Sequence, residues 1–175
     1  MSDSRTDALR DGPDRLMTAR YYYDAITSRP SAVQAALANL YGDGAELVAS
    51  RQAQLLELLE SFMASFDADA PVVVARAPGR VNLMGRHIDH RGGYCNTIAI
   101  HNDVWVVASR RNDERLLLRN LDAEFPPQDL DPSGLWNAAS GQSWHNFVES
   151  QAVEQYLLGH RGEWINYLLG AYLRL

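Results

Sequence analysis

The chain has 175 residues, of which 46% are hydrophobic and 22% are charged, as in an ordinary globular protein with one sizeable core. Its formal net charge of -6 argues against nucleic-acid binding, because such binding depends on clustered Lys and Arg side chains that neutralise phosphates. All 16 basic residues are Arg, so no Lys is present to clamp a phosphate or to form a Schiff base.

The beginning of the chain is polar, and we predict a flexible tail over residues 1–20. It has no apolar segment that would act as a secretion signal, and no apolar run in the chain reaches the length of a membrane span. We therefore expect a cytoplasmic protein without a membrane partner. The single Cys95 has no partner for an internal disulfide and is expected to be a small buried residue on a strand.

Apolar residues recur at helical spacing between residues 31 and 66. The sequence Gly-Asp-Gly at 42–44 interrupts this pattern and predicts two helices separated by a short break. We assign residues 21–70 to a helical extension. A short β-branched run, VVVARA, then predicts a buried strand from residue 72.

Further along, the pattern predicts an antiparallel meander with strands over 94–100, 103–109 and 114–119 and a hairpin turn at RRND. Residues 123–142 are rich in Pro, Gly and Asp, which favours a surface loop. Two helices divided near GHRGE are predicted after it. The second helix is still apolar at Leu175, without a cap, so we expect that the chain ends short of its natural terminus.

The polar residues concentrate in GRVNLMGRHIDHRGG, residues 79–93. Gly79 and Gly85 allow the backbone to turn tightly or to approach a ligand closely. If the segment is extended, His87 and Asp89 lie on the same side and could meet one small polar ligand.

Four interpretations of this segment remain open from the residues alone. A metal site at His87, Asp89 and His90 has a spacing that is not typical of a closed site. A nucleotide phosphate loop is disfavoured, because neither GxGxxG nor GxxxxGK[ST] occurs in the chain. A polyol site would use Asp to accept and His to donate hydrogen bonds, with Arg80 near developing negative charge. A hydrogen-bonded turn that only joins two strands is the structural alternative.

The same segment resembles the first signature of galactokinases in the GHMP superfamily of sugar and mevalonate kinases, G-R-x-N-[L/I/V]-I-G-E-H-x-D-Y-x-x-G. The preceding APGR fits this signature, and WINYLLG at 164–170 is similar to the family's W-x-N-Y-x-x-G. The resemblance covers roughly residues 70–175. It implies an α+β fold over residues 71–175, the incomplete N-terminal part of a GHMP-kinase (ribosomal protein S5 domain 2-like) domain in which antiparallel strands pack with helices.

The resemblance also implies an activity and roles for single residues. The reaction would transfer the γ-phosphoryl group of ATP, with Mg²⁺, to a monosaccharide, in the family at the anomeric hydroxyl. Arg80 matches the catalytic Arg that stabilises negative charge, and His87 and Asp89 match residues that bind sugar hydroxyls. Trp164 and Tyr167 match aromatic residues that line the adenine pocket. Their spacing alone instead favours packing in the core.

Two further family features are absent from these 175 residues: the Gly-Leu-Ser-Ser-Ser-Ala phosphate loop, and the catalytic Asp with the third motif. We therefore expect that this polypeptide alone does not phosphorylate a sugar. The alternative is a catalytically inactive sensor that binds sugar and nucleotide and acts through a protein partner, with the first 70 residues as the interface.

Arg86 stands where galactokinases carry Glu. Arg only donates hydrogen bonds, and its planar guanidinium matches a carboxylate or a phosphate. The substitution therefore predicts a substrate with an acidic group, such as the uronic acid galacturonate, in place of galactose. In the alternative interpretation, Arg86 pairs with Asp89 or another acidic side chain, or faces solvent.

Overall fold

The structure is a computed structural model that describes residues 16–85 and 88–174. Contacts within the chain divide it into two compact units, Met1–Arg110 and Arg111–Leu175. Among the described residues, no helix is long and apolar enough to cross a bilayer.

The described part of the first unit, from residue 16 onward, begins with three helices, α1 (Ala19–Ser28), α2 (Pro30–Tyr41) and α3 (Ala45–Ser65). The side chain of Thr18 caps α1 by accepting a hydrogen bond from the Tyr21 N–H at 3.1 Å. Helix α2 starts at a proline, which needs no N–H partner there, and ends at Gly42 with a φ of 82°. The two predicted helices and the break between them are confirmed, and α1 is a third helix that precedes them.

The core of this unit lies between the helices and the start of the first strand. It contains the buried side chains Ala19, Ile26, Leu59, Phe62 and Val72. The Val72 N–H donates to the Met17 carbonyl at 2.9 Å, so the segment before α1 is attached to the beginning of the strand. Burying each large apolar side chain contributes about 1.5–3 kcal/mol, and this packing holds α1 and α3 against the strand.

Two long antiparallel strands form the sheet of the first unit, β1 (Val72–Met84) and β2 (Asn96–Ser109). The strands predicted over 94–100 and 103–109 are one continuous strand, and β1 continues past Pro78 and Gly79 to Met84. The register shifts where Pro78 pairs with Asp103 and Gly79 pairs with Ile100, which leaves two extra residues on β2 as a bulge. Proline has no N–H for the ladder and is tolerated at such a bulge, so the strand need not end there.

The second unit holds two short strands and four helices: β3 (Leu116–Leu118), β4 (Gln128–Leu130), α4 (Ser133–Ala139), α5 (Trp144–Val148), α6 (Gln151–Gly159) and α7 (Ile165–Arg174). The predicted meander is wrong, because β3 pairs with β4 and not with β2. Of the two helices predicted after residue 142, the second is confirmed as α7, whereas the first is divided at Glu149 and Ser150 into α5 and α6. Phe147, Ile165 and Leu169 are buried in this unit.

The surface loop predicted over 123–142 is also wrong, because it contains β4 and α4. The Asp131 side chain accepts a hydrogen bond at 2.9 Å from the N–H of Ser133, the first residue of α4, and Pro132 lies at the N-cap position. Asp and Pro, which were counted as loop-forming, thus stand directly before a helix. The mixture of helices with antiparallel strands agrees with the α+β class, whereas the GHMP-kinase domain assignment stays a prediction.

Candidate functional site

The predicted polar segment begins inside β1 rather than after it. Arg80 and Asn82 are strand residues that pair with Ala99 and Thr97 of β2. The Arg80 side chain is exposed, and no described residue forms a hydrogen bond or an ion pair with it. Its position on a paired strand fixes the backbone, while the guanidinium remains available to an anionic group.

The described part of the loop between β1 and β2 consists of Gly85 and of residues 88–95. The φ of Gly85 is 81°, and a Cβ atom there would lie 2.4 Å from the Tyr94 carbonyl oxygen, so glycine is required. The Gly85 carbonyl accepts from the Cys95 Sγ at 2.9 Å, and the Ile88 carbonyl accepts from the Gly93 N–H at 2.9 Å. Cys95 is half-buried and directly precedes β2, so its predicted place on a strand is wrong.

The residues predicted to recognise the sugar lie in this loop. Arg86 and His87 fall outside the described residues. Asp89 begins a 3-10 turn, Asp89–Arg91, and only its backbone is described. Successive residues of a 3-10 turn do not alternate between two sides. Because His87 lies outside the described residues, the expectation that His87 and Asp89 lie on the same side stays a prediction.

The two predicted adenine-pocket residues belong to the second unit. Trp164 directly precedes α7, is half-buried, and meets Phe125 edge-on with ring centroids 6.2 Å apart. Its indole Nε1 is buried and has no hydrogen-bond partner among the described residues. Tyr167 lies on α7 with 89% of its surface exposed, so the alternative of core packing is wrong for this residue.

Sequence reasoning missed a cluster of polar side chains at the bulge of the hairpin. The carboxylate of Asp103 is fully buried, and its Oδ2 accepts from the Arg76 Nε at 2.5 Å and from the Tyr41 hydroxyl. The Trp105 Nε1 donates to the same hydroxyl at 3.2 Å, and the guanidinium of Arg51 lies 3.8 Å from Asp103 Oδ1. We call these five residues the Asp103 cluster. Charged residues inside apolar strand segments, VVVARA and NDVWVV, are the signal that could have revealed it.

The cluster keeps Asp103 ionised. Burial raises the pKa of the Asp103 carboxyl. The hydrogen bonds from Tyr41 and Arg76 and the nearby charge of Arg51 together lower it by more, so the pKa lies below its ordinary value of 3.8. The hydrogen bond to Asp103 likewise raises the pKa of Arg76. A carboxylate and a guanidinium therefore form a stable pair at neutral pH.

This pair predicts a loss of stability in acid. The pKa of Asp103 is lower in the folded state than in the unfolded state. Ionised Asp103 therefore stabilises the fold fully at a pH above its unfolded-state pKa, and this stabilisation is lost as the pH falls through its folded-state pKa. We expect the free energy of unfolding to fall more steeply below about pH 4 in the wild-type chain than in Asp103→Asn. Urea denaturation over a pH series measures this slope. Asp113→Asn, in an exposed ion pair with Arg111, is the matched control and should leave most of the slope in place; equal slopes in the wild type and Asp103→Asn would contradict the prediction.

Among residues 16–85 and 88–174, no group of three or more His, Cys, Asp or Glu side chains could hold a metal ion. The metal interpretation of His87, Asp89 and His90 includes a residue outside this part of the chain, so it stays untested. Mg²⁺ in phosphoryl transfer is held by one or two carboxylates and by substrate phosphates, and does not need such a group.

Comparisons with known proteins point to the hairpin. The galactokinase galactose-binding signature matches residues 60–110, which include β1, the loop and β2. The chain is 32% identical to a galactokinase of Dictyostelium discoideum over 57% of this chain and 22% of the relative. It is 33% identical to a galactokinase of Roseiflexus sp. over 59% of this chain and 26% of the relative. It is 32% identical to a galactokinase of Candida maltosa over 63% of this chain and 53% of the relative.

The chain thus spans about a quarter to about a half of the length of these curated relatives. No solved structure matches it. The strands β1 and β2 lie within the residues that match the galactose-binding signature. Through this hairpin, the chain resembles the galactokinases.

Proposed function

We propose that the chain supplies the sugar-recognition part of an ATP-dependent sugar kinase that phosphorylates a monosaccharide at its anomeric hydroxyl. The observation that carries this proposal is the match of residues 60–110 to the galactose-binding signature, on a hairpin whose Arg80 is exposed and unpaired among the described residues. A guanidinium in that position suits the negative charge that develops on the sugar oxygen and the transferred phosphoryl group. His87 and Asp89 would bind sugar hydroxyls.

The residues proposed to hold ATP fit the chemistry of adenine. Trp164 is half-buried, and its indole ring offers a flat face that suits a purine. Tyr167 exposes its ring and offers a flat apolar face for stacking. ATP would supply the phosphoryl group, and Mg²⁺ would be held mainly by its phosphates.

The first test concerns the extent of chain that catalysis needs. We propose that the 175-residue polypeptide alone does not turn over ATP with a sugar, because it contains no Gly-Leu-Ser-Ser-Ser phosphate loop. A polypeptide extended through the following reading frame should release ADP in the presence of galactose or galacturonate. ADP release is measured for both proteins with each sugar. Sugar-dependent ADP release by the 175-residue chain would contradict the proposed dependence on a further region.

We further propose that Arg86 selects a uronic acid. A guanidinium pairs with the carboxylate of galacturonate and has no acceptor for the hydroxymethyl group of galactose. In the extended polypeptide, Arg86→Glu should lower kcat/KM for galacturonate by about tenfold or more and raise it for galactose, because a carboxylate repels the acid. Unchanged kcat/KM for both sugars would contradict this role and would leave the kinase proposal standing.

A catalytically inactive sensor is the second candidate, and no contact among the described residues favours it over the kinase.

A further inference from the structure

The bulge of β2 lies where the hairpin extends beyond the helices. Its two extra residues, His101 and Asn102, have no pairing partner on β1. On one side of the bulge, the start of β1 and the end of β2 pack on the helices. On the other side, the side chains of residues 80–84 and 96–99, which we call the outer hairpin, are exposed among the described residues. Because a bulge bends its strand and increases the local twist, the bulge sets the direction of the outer hairpin.

Side chains of helices α2 and α3 hold both ends of this bulge. At the first end, the Arg51 Nη2 of α3 donates to the His101 carbonyl at 2.9 Å. At the second end, the hydroxyl of Tyr41, the last residue of α2, donates to the fully buried carboxylate of Asp103. The Arg51 guanidinium also lies 5.6 Å from the centre of the Tyr41 ring, so the two contacts support each other. Hydrogen bonds to a charged group are stronger than neutral ones, which makes both ends well held.

The middle of the bulge contacts the opposite strand directly before Arg80. The Asn102 carbonyl oxygen lies so close to Gly79 that a Cβ atom at this glycine would collide with it. Gly79 is the residue that precedes Arg80, and the two pair with Ile100 and Ala99 of β2. A shift of the bulge towards β1 would therefore displace the backbone from which the Arg80 side chain extends.

We propose that Arg51 and Tyr41 are positioning residues for Arg80. They act through the bulge, by holding the outer hairpin in the orientation in which the Arg80 guanidinium meets the transferred phosphoryl group. This inference rests on the proposed kinase function. Both residues lie outside residues 60–110, so the match to the galactose-binding signature assigns them no role. A misplacement of about 1 Å at a reacting centre can lower a rate by about 10²-fold, which makes such support important for catalysis.

The kinetic test compares Arg51→Met in two backgrounds of the extended polypeptide. This change removes the guanidinium and keeps a long, adaptable side chain. It should lower the sugar-dependent kcat by about tenfold or more and leave KM nearly unchanged, because a displaced Arg80 affects the transition state rather than binding. In the Arg80→Gln background the same change should cause no further loss, because the group that Arg51 positions is already absent. An unchanged kcat in Arg51→Met, or an equal loss in both backgrounds, would overturn the proposal.

A matched pair of variants tests the second end of the bulge by removing one oxygen atom. Tyr41→Phe removes only the hydroxyl that holds Asp103, and it should lower kcat by about tenfold with little change in KM. Tyr23→Phe removes a hydroxyl of α1 that donates to Glu60 at 2.7 Å, away from the bulge, and it should keep the wild-type kcat. The same kcat in the two variants would overturn the role of Tyr41.

Amide hydrogen exchange separates a failure of this inference from a failure of the kinase proposal. It is measured by mass spectrometry on the 175-residue chain, without any activity. In Tyr41→Phe, residues 79–84 should exchange about tenfold faster than in the wild type, with little change over residues 72–77. Unchanged exchange over 79–84, or an equal rise over both segments, would overturn the positioning role. Faster exchange confined to 79–84, with no sugar-dependent ADP release by the wild-type extended polypeptide, would instead contradict the kinase proposal and leave the attachment of the bulge to the helices in place.

Discussion

Replacing Arg80 with Gln should lower the sugar-dependent kcat of the extended polypeptide by about 10²–10³-fold, the effect of removing one group that stabilises transition-state charge. The structure supports this role because Arg80 lies on a paired strand and its exposed side chain forms no hydrogen bond or ion pair with a described residue. The loss should appear in kcat, because the charge develops during phosphoryl transfer and not on binding. Steady-state ADP release measures kcat and KM separately.

Arg91→Gln provides the matched control for this prediction. It makes the same change of charge at the end of the 3-10 turn in the following loop, on an exposed side chain that the resemblance assigns no role. Its kcat should match that of the wild type. A rise in KM with unchanged kcat in Arg80→Gln would make Arg80 a binding residue, and equal losses in both variants would point to a general effect of charge.

The second large effect is expected on stability. Asp103→Ala should lower the free energy of unfolding of the 175-residue chain by about 3–5 kcal/mol, because it leaves a largely buried guanidinium and a tyrosine hydroxyl without their acceptor. The Arg76 side chain, which pairs with Asp103 at 2.5 Å, is only 20% exposed. Urea denaturation with a constant m-value measures the change.

Two comparisons identify the cause of that loss. Asp113→Ala removes an exposed ion pair, whose partners are 38% and 44% exposed, and should leave the free energy of unfolding nearly unchanged. The double variant Arg76→Met/Asp103→Leu replaces both charges by apolar groups and should recover most of the stability. A double variant as unstable as Asp103→Ala would mean that burial of an unpaired charge is not the cause.

The Asp103 cluster also connects the helical segment to the proposed sugar-binding hairpin. Tyr41 ends α2, Arg51 belongs to α3, and both contact the strand residue Asp103 at the bulge. The bulge directly precedes Arg80, so the cluster holds the backbone from which Arg80 extends. The helices before the hairpin are therefore part of the support of the site and not only a separate appendage.

Several features follow from the amino-acid sequence by itself. The break at Gly42–Gly44 is local, because a glycine with positive φ ends a helix wherever it stands, and it was predicted correctly. The α+β class and the galactokinase signature are also readable, since they depend on periodicity and on residues that are close in sequence. The glycine at residue 85 belongs to this group, because only glycine fits its backbone.

Other features were decided only by the tertiary structure. The predicted break between two strands is a bulge in one strand, because β1 pairs along the full length of β2 and the ladder outweighs the local turn signal. The pairing of β3 with β4 depends on a connection that composition describes only as a loop. The Asp103 cluster joins residues 62 positions apart, Tyr41 and Asp103. No local pattern encodes such a contact, because it exists only when packing of the helices on the hairpin removes these side chains from water.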